Sequence, residues 1–436
     1  MNIAIAGYGL EGRSNYEYWA AQTDEKGAPL HHLTIVDERG DVSAPADVSI
    51  ITGEGAFSRL NGFDMVVRSA GVAPHKITTD GKVWSATNEF FEKCPAPIIG
   101  VTGSKGKGTT SSLAASILTS AGKKVWLVGN IGLASLDVLS DITEDDIVVY
   151  ELSSFQLWDL ERSPQVGVVL HIEPDHLDVH KDFEEYVAAK SQIARNQTTV
   201  DRLVYNARNQ WSTEIAGQSV GQRLPYPSER GAHVRGDRFY YGETELCGIE
   251  NVLLPGVHNL ENACAAITAV WPWVQDGTVI GEGLRSFDGL PHRLKLVRKV
   301  AGVSYYDDSI ATTPGSAIAA IAAFAEPKVM ILGGSYKGAN FTELAGKAAA
   351  EGAKVKEILL IGAEAPRIAG ALDEAGFTAY TNLADKTFNE VIAYAHTVAE
   401  EGDVVVLSPA CASFGQFKNY ADRGDQFIAA VNQLAA

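Results

Sequence analysis

Short apolar runs recur near the start of the chain and alternate with polar or helical stretches. Four of them, NIAIAG, LTIVDER, VSIITG and DMVVRSAG, fall within the first ninety or so residues. Runs of this length that are rich in Val and Ile, separated by helical or loop segments, are typical of the strands of an α/β sheet. The pattern therefore predicts a small α/β unit at the N-terminus.

Two further units follow with the same alternation. A loop with three closely spaced residues, Cys94, Pro95 and Pro97, precedes a second series of strands, IIGVT, KVWLVGN, DIVVYELSS and VGVVLHIEPD. A helix is predicted from about Phe183 to Asn196, then a less regular stretch to about Gly248, and another helix near Asn259. A third series, VSYYDDS, KVMILGG, EILLIG and DVVVLSP, alternates with alanine-rich helices. The fold class is α/β with three domains, which we place at 1–93, 94–289 and 290–436.

Composition excludes several classes of protein. The chain has 436 residues, 46% of them hydrophobic and 21% charged, which is enough apolar surface for ordinary globular cores. A net charge of −18 disfavours broad contact with nucleic acid, because such contact needs excess Lys and Arg. No apolar run is long enough to span a bilayer, and no export signal is recognisable, so we expect a cytoplasmic protein without a membrane partner. The four cysteines form no CxxC pair: Cys94, Cys247, Cys264 and Cys411.

The segment GVTGSKGKGTT, residues 100–110, is the most informative motif. Its glycines let backbone N–H groups approach phosphate oxygens, and the helix that follows directs its positive dipole end at them. Lys107 supplies a charge and Thr109 a hydroxyl for Mg²⁺. The spacing departs from G-x-x-x-x-G-K-[ST], because Gly108 follows the lysine. The alternative is a glycine-rich turn with a solvated lysine.

A second glycine motif, GYGLEG, occupies residues 7–12, and Asp37 ends the next predicted strand. Alone it indicates dinucleotide binding. The same glycines also suit another diphosphate or uridine ligand, or a tight turn that serves only packing. Arg39 and the turn at residues 69–71 place further polar groups at this sheet edge.

Acidic and imidazole side chains follow two strands of the second unit. Glu151 ends the run DIVVYE, where an acid holds Mg²⁺ or orients water in nucleotide-binding proteins. The loop HIEPDHLDVH, residues 171–180, is either a metal-side loop or a solvated acidic turn. His176 and His180 are four residues apart, so zinc is conceivable, but the many oxygens favour Mg²⁺. On spacing alone, Lys190 is a surface lysine.

An ordered series of blocks resembles the Mur ligases. The blocks are GVTGSKGKGTT, VVYELSSFQLW, HIEPDHLDVHKDFEEYVAAKSQI, LPGVHNLENACAA, GLPHRLKLV, YDDSIATTP, ILGGSYKG and LSPACASFGQFKNYADRGDQF. The resemblance runs from Gly7 to about Phe427. It implies an N-terminal Rossmann-like domain, a central P-loop ATPase-like domain with a mostly parallel sheet, and a C-terminal Rossmann-like domain.

The resemblance also implies an activity: ATP-dependent joining of glutamate, in the D form, to UDP-N-acetylmuramoyl-L-alanine through an acyl phosphate, in peptidoglycan precursor synthesis. It implies two Mg²⁺ ions, one on Thr109 and Glu151 and one on His176 and a carbamylated Lys190. The implied catalytic set is Lys107, Glu151, His176, Lys190 and Arg293. The implied ATP contacts are Gly103, Ser104, Lys105, Gly106, Lys107, Gly108, Thr109, Thr110, Asn259, Arg293 and Asp308.

Implied contacts to the UDP sugar are Leu10, Glu11, Asp37, Arg39, Gly71, Asn130, Ser153 and Gln156. Implied contacts to the incoming amino acid are Thr312, Lys337, Ser413 and Tyr420. Three positions depart from the family pattern: Ile310 replaces a common lysine, Ser335 a common acid, and Lys105 a common asparagine. L-glutamate or another amino acid therefore stays open, as does a folylpolyglutamate synthase-like ligase. We expect a monomer.

Two unrelated classes fit less well. A nicotinamide dehydrogenase has no use for GSKGKGTT or for Glu151, and a GTPase-like switch needs an N-K-x-D segment that this sequence lacks.

Overall fold

The computed structural model describes residues 1–335, 339–413 and 415–435. Its strands form three larger sheets and one small one, each from a continuous part of the chain. The predicted α/β class is confirmed. No helix in the described ranges is long and apolar enough to cross a membrane.

The first sheet has five parallel strands in the order β3-β2-β1-β4-β5. Its elements are β1 (Asn2–Ala6), α1 (Leu10–Ala20), β2 (His32–Asp37), β3 (Ser49–Thr52), β4 (Met65–Arg68), β5 (Lys82–Ser85) and α2 (Ala86–Lys93). Apolar side chains of β1, β2 and β4 pack into separate clusters on the two faces of the sheet. The four predicted strands are present, and β5 is additional.

The central sheet has six parallel strands in the order β11-β10-β9-β6-β8-β7. Its first elements are β6 (Ile98–Thr102), α3 (Lys107–Ser120), β7 (Val125–Gly129), α4 (Ser135–Val138), β8 (Ile147–Glu151), α5 (Ser154–Leu157), β9 (Val166–Val169) and α6 (Phe183–Arg195). They continue with β10 (Arg202–Asn206), α7 (Gln210–Ala216) and β11 (Gln222–Tyr226). Strands β6, β8 and β9 are wholly buried, as expected for parallel strands covered on both faces.

The stretch that the sequence marks as less regular carries regular structure. Besides β10 and β11 it contains a three-stranded antiparallel sheet of β12 (Ala232–Arg235), β13 (Arg238–Tyr241) and β14 (Thr244–Gly248). Two helices follow, α8 (Val257–Val270) and α9 (Gly277–Ser286). Helix α8 begins two residues before the predicted start near Asn259.

The third large sheet has the order β15-β16-β20-β17-β18-β19, and only its edge strand β15 is antiparallel to its neighbour. Its strands are β15 (Lys295–Val300), β16 (Val303–Asp307), β17 (Lys328–Gly333), β18 (Val355–Ile361), β19 (Tyr380–Asn382) and β20 (Val404–Leu407). Its helices are α10 (Pro314–Ala323), α11 (Thr342–Glu351), α12 (Ala365–Glu374), α13 (Phe388–Val398) and α14 (Tyr420–Asn432).

The chain divides into two compact units. One contains Met1–Asn251 and Leu260–Phe287, and the other contains Val252–Asn259 and the chain from Asp288 onward. Within the first unit, the buried Arg68 at the end of β4 forms an ion pair with Asp159, which follows α5, at 2.8 Å. Ser14 of α1 donates a hydrogen bond to Asp137 of α4 at 2.6 Å. The first two sheets therefore share one compact unit, and the predicted boundary at 93/94 stays a prediction.

Candidate active site

The glycine-rich loop between β6 and α3 is shaped by close backbone packing. Gly106 has φ +84°, and a Cβ there would lie 2.5 Å from Asn262 Oδ1. A Cβ at Gly103 would lie 2.7 Å from Leu170 Cβ. Helix α3 then begins at Lys107, whose Nζ donates hydrogen bonds to Gly103 O at 3.0 Å and Ser104 O at 3.1 Å. The Lys107 side chain therefore folds back over the loop at the N-terminal, positive end of α3, an arrangement that suits the binding of an anion.

Ser104 ties this loop to the segment that follows β9. Its N–H donates to His171 O at 2.8 Å, and its hydroxyl donates to Glu173 O at 2.8 Å. The same Oγ accepts from the Glu173 N–H at 3.0 Å. Lys105, on the surface, forms an ion pair with the Glu173 carboxylate. The first turn of α3 buries Gly108, Thr109 and Thr110.

Glu151 at the end of β8 is 2% exposed. Its Oε1 accepts a hydrogen bond from Asn130 Nδ2 at 2.8 Å. Its buried Oε2 has no hydrogen-bond partner among the residues that the structure describes. A buried carboxylate oxygen without a partner is costly unless a cation or a donor completes it. This oxygen therefore fits a divalent cation such as Mg²⁺.

Lys190 is buried, contrary to the surface position that spacing alone predicts. It lies in α6, is 1% exposed, and its Nζ donates to Gly103 O at 2.9 Å and Thr102 Oγ1 at 3.3 Å. The Nζ also lies 4.6 Å from the centre of the Tyr186 ring. Burial holds the pKa of Lys190 well below its usual value, and the charge of Lys107 lowers it further. The strands and helix thus bring Lys190 beside the phosphate loop.

The two histidines of the 171–180 loop have different environments. His176 is exposed with φ 53°, and its ring centre lies 5.0 Å from that of Phe155. His180 is buried, stacks on Phe155, and its Nε2 lies 2.9 Å from Ser154 Oγ. Burial lowers the pKa of His180. In the described part of the chain, no three His, Cys, Asp or Glu side chains come together as metal ligands.

The first sheet carries a separate cavity of about 460 Å³ at the end of β1. The structure brings together five predicted contacts around it: Leu10, Glu11, Asp37, Arg39 and Gly71. Asp37 accepts hydrogen bonds from Tyr8 N at 2.7 Å and from the Arg39 side chain at 2.9 Å and 3.0 Å. These bonds, led by that of Arg39, lower the pKa of Asp37 to about 2. Burial raises the pKa of Glu11, which accepts from Ala70 N at 2.7 Å.

The lining of this cavity also includes residues that the sequence does not mark as contacts, among them Tyr8 and Lys76. Tyr8 lies between the glycines of the motif, at a position where the motif specifies no residue. Lys76 lies in a short 3₁₀ turn, where its Nζ forms an ion pair with Glu38 at 3.3 Å. No sequence motif marks that turn.

Ser153 and Gln156 form a capping box on α5. The Gln156 N–H donates to Ser153 Oγ at 3.2 Å, and the Ser153 N–H donates to Gln156 Oε1 at 2.9 Å. Their polar atoms thus stabilise the helix start. Their predicted contact with the sugar stays a prediction.

Three further predicted ATP contacts belong to the second compact unit. Asn259, in the first turn of α8, donates from Nδ2 to Pro255 O at 2.7 Å. Asp308 accepts from Ser408 Oγ at 2.7 Å and from Leu294 N at 3.2 Å. Burial raises the pKa of Asp308 to about 7. Arg293 is half-buried just before β15.

The predicted amino-acid contacts also lie in the second unit, apart from Lys337, which falls outside the described residues. Thr312 is half-buried, Ser413 is buried, and Tyr420 at the start of α14 is 42% exposed. Ser335, one of the departures from the family pattern, has a buried Oγ without a hydrogen-bond partner in the described ranges.

Comparison with known proteins gives consistent matches. The family described as Mur ligase middle domain matches residues 101–270, and the one described as Mur ligase, glutamate ligase domain matches residues 292–411. A relative in Acetivibrio thermocellus named UDP-N-acetylmuramoylalanine–D-glutamate ligase is 40% identical over 89% of this chain and 87% of its own.

Two solved structures show the same fold at low identity. UDP-N-acetylmuramate–alanine ligase from Thermotoga maritima superposes with a TM-score of 0.61 at 16% identity, over 99% of both chains. Mycobacterium tuberculosis folylpolyglutamate synthase, complexed with ADP and AMPPCP, gives 0.58 at 14% identity over 78% of this chain and 94% of its own.

Proposed function

Since the chain belongs to the Mur ligase family, we propose that it is an ATP-dependent ligase that joins D-glutamate to UDP-N-acetylmuramoyl-L-alanine. The observation that carries this proposal is the meeting of Lys107, Glu151 and Lys190 beside one glycine-rich loop. The name of the relative that is 40% identical over most of both chains supports this choice of substrates.

The reaction needs a carboxylate to become a good electrophile. An oxygen of the alanine carboxylate attacks the γ-phosphorus of ATP, and ADP leaves. The glutamate nitrogen then attacks the acyl carbon, loses a proton, and phosphate departs. The protein has little covalent chemistry to perform in these steps, so its residues act by positioning the reactants and neutralising charge.

Lys107 and the N–H groups of the glycine loop hold the triphosphate, and Glu151 with Thr109 would hold one Mg²⁺. The Oε2 of Glu151, which has no hydrogen-bond partner among the described residues, supports this assignment. A cation held there would reduce the repulsion between the phosphates and the attacking carboxylate. A second ion on His176 and Lys190 needs Lys190 to be anionic, since a lysine amine or ammonium supplies no oxygen ligand.

Carbamylation provides that oxygen ligand at Lys190. The neutral amine nitrogen attacks the carbon of CO₂ and releases a proton, which leaves a carboxylate on nitrogen. Only the uncharged amine has the electron pair for this step, and the buried surroundings of Lys190 favour that form. The nearby charge of Lys107 stabilises the carboxylate once it has formed.

The cavity at the end of β1 takes the UDP portion, with Arg39 near the diphosphate. This assignment also distinguishes the proposal from a folylpolyglutamate synthase-like ligase, which has no use for the separate sheet of residues 1–93. We also propose that Asn259, Arg293 and Asp308 contact ATP, and that Thr312, Lys337, Ser413 and Tyr420 contact glutamate. We expect the enzyme to act as a monomer in the cytoplasm, in peptidoglycan precursor synthesis.

Phosphate release from the purified protein tests the proposal directly. The assay contains ATP, Mg²⁺ and, as acceptor, either UDP-N-acetylmuramoyl-L-alanine or a reduced folate, with D-glutamate, L-glutamate or other amino acids in parallel. Turnover with D-glutamate is the expected result. Turnover only with L-glutamate would show that Ile310 and Ser335 mark a changed specificity, and turnover only with a reduced folate acceptor would replace the proposal.

A further inference from the structure

The backbone on both sides of Arg293 is strained. His292 has φ 59° and Leu294 has φ 41°, the left-handed region that residues with a Cβ rarely adopt. This conformation costs free energy, because the Cβ comes too close to the following carbonyl oxygen. Strain of this kind persists only where surrounding contacts impose it.

Asp307, the last residue of β16, supplies one of those contacts. It is fully buried, and its Oδ2 accepts a hydrogen bond from His292 Nδ1 at 2.7 Å. Its Oδ1 accepts from Ser309 N at 3.0 Å, so both carboxylate oxygens are engaged. The His292 carbonyl in turn accepts from Ile310 N at 3.0 Å. A Cβ at Gly424 of α14 would lie 2.0 Å from His292 Nδ1, which shows how closely the ring is enclosed.

The next residue holds the other side of the strained segment. Asp308 Oδ1 accepts from the Leu294 N–H at 3.2 Å, while its Oδ2 accepts from Ser408. Two adjacent buried carboxylates at the end of one strand therefore fix the residues before and after Arg293. Asp307 acts through a side chain, and Asp308 through a backbone N–H.

We propose that Asp307 is a positioning residue, which through His292 holds the strained segment so that the Arg293 guanidinium keeps one direction. The inference rests on the proposed function, in which Arg293 meets the γ-phosphate. A cation that stabilises a transferring phosphate is most effective when its direction is set beforehand, because no reorganisation is then needed during the reaction. The strained backbone at His292 and Leu294 is the energetic cost of holding the Arg293 guanidinium in one direction.

Asp307→Ala removes both acceptor oxygens and tests the inference, with kcat and KM for ATP measured by phosphate release. We expect kcat to fall by about 10-fold or more and KM for ATP to change by less than about 3-fold, because orientation matters most in the transition state. The matched control is Asp403→Ala. Asp403 is another buried carboxylate of this unit, bonded to Lys356 Nζ at 3.0 Å and Glu400 N at 2.8 Å. This control variant should have a lower melting temperature than the wild type but a kcat within about 2-fold of the wild-type value.

His292→Ala tests the same contact from the other side, because Ala has no group that could donate a hydrogen bond to Asp307. Its kcat should fall as in Asp307→Ala, and the double variant should be no slower than either single one. Equal kcat in Asp307→Ala and Asp403→Ala, or additive losses in the double variant, would overturn the inference. If Asp307→Ala does not fold, an unchanged kcat in His292→Ala overturns it alone. A wild-type protein without phosphate release would instead contradict the proposed function.

Discussion

Two glycine-rich turns of this chain have the same local plan and different surroundings. Residues 7–12 connect β1 to α1, and residues 103–110 connect β6 to α3. Both follow a strand in the interior of a parallel sheet, and both place a glycine at the N-cap of the helix, Gly9 and Gly106. By glycine pattern alone, either could bind a phosphate group.

The side chains around the turns differ in how their charges are satisfied. At the first turn, Asp37 is fully engaged by Tyr8 N and Arg39. At the second turn, Lys190 is a buried amine and Glu151 keeps one buried oxygen unpartnered among the described residues. The glycines therefore set the shape of a turn, and residues from neighbouring elements set its charge and its free hydrogen-bonding capacity.

Lys107→Ala should give the largest effect, because it removes a charge from the second turn only. We expect phosphate release to fall by about 1000-fold, while the affinity for UDP-N-acetylmuramoyl-L-alanine stays within about 2-fold. Phosphate release and calorimetric titration measure the two quantities. Arg39→Ala is the reciprocal control and should raise KM for the nucleotide sugar about 10-fold at unchanged KM for ATP. If both variants lose both functions, the two turns are not separate sites.

Lys190→Ala tests the buried amine of the second turn. We expect activity to fall by about 100-fold or more, because the variant cannot form the carbamate carboxylate that the proposed function requires. Short carboxylates such as acetate or propionate should restore part of the activity, whereas added bicarbonate should not. Rescue is followed as phosphate release against carboxylate concentration. Full activity of the variant without additives would refute the carbamate.

Gly12→Ala and Gly9→Ala test which glycine of the first turn is required by close packing of the backbone. A Cβ at Gly12 would lie 1.9 Å from Gly7 O, whereas a Cβ at Gly9 would meet no heavy atom within 4 Å. We expect Gly12→Ala to cost about 2–3 kcal/mol of folding stability and Gly9→Ala less than about 0.5 kcal/mol. Urea unfolding gives both values. Equal stability of the two variants would mean that the turn adapts to an added side chain.

The pH dependence of stability gives the smallest contrast. The pKa of Lys190 is lowered on folding, so the unfolded chain binds more protons there and stability should rise with pH up to the usual lysine pKa. In CO₂-free buffer, Lys190→Met should therefore be more stable than wild type at pH 6, with a smaller margin at pH 9.

The stabilisation from Asp37 is complete above its unfolded pKa near 4 and is lost only as pH falls towards 2. Asp37→Asn should accordingly lose about 1 kcal/mol or less, equally at pH 6 and pH 9. Urea unfolding at both pH values checks this contrast, and parallel curves for wild type and Lys190→Met would contradict it.

The continuous apolar runs predicted strands correctly, because parallel strands that are buried on both faces need uninterrupted hydrophobic segments. Runs such as IVVYE and VGVV became β8 and β9, both wholly buried. The strands that the sequence did not predict, such as β5 and β13, lack a continuous apolar run. β5 reads KVWS and β13 reads RFYY, and both carry partly exposed positions that resemble a loop in the sequence. Short strands of mixed polarity are specified by their neighbours in the sheet rather than by their own pattern.

The sequence by itself determined the order of α/β units, the two glycine turns and the charged residues that follow the strands, because these depend on local periodicity and backbone preference. Only the tertiary structure decided the environment of each charge. Lys190 is buried because α6 packs it against residues 102 and 103, about ninety positions away in the chain. Ser153 and Gln156 bond to each other because a helix starts there. Desolvation and hydrogen bonding depend on which distant segments meet, and folding alone determines that.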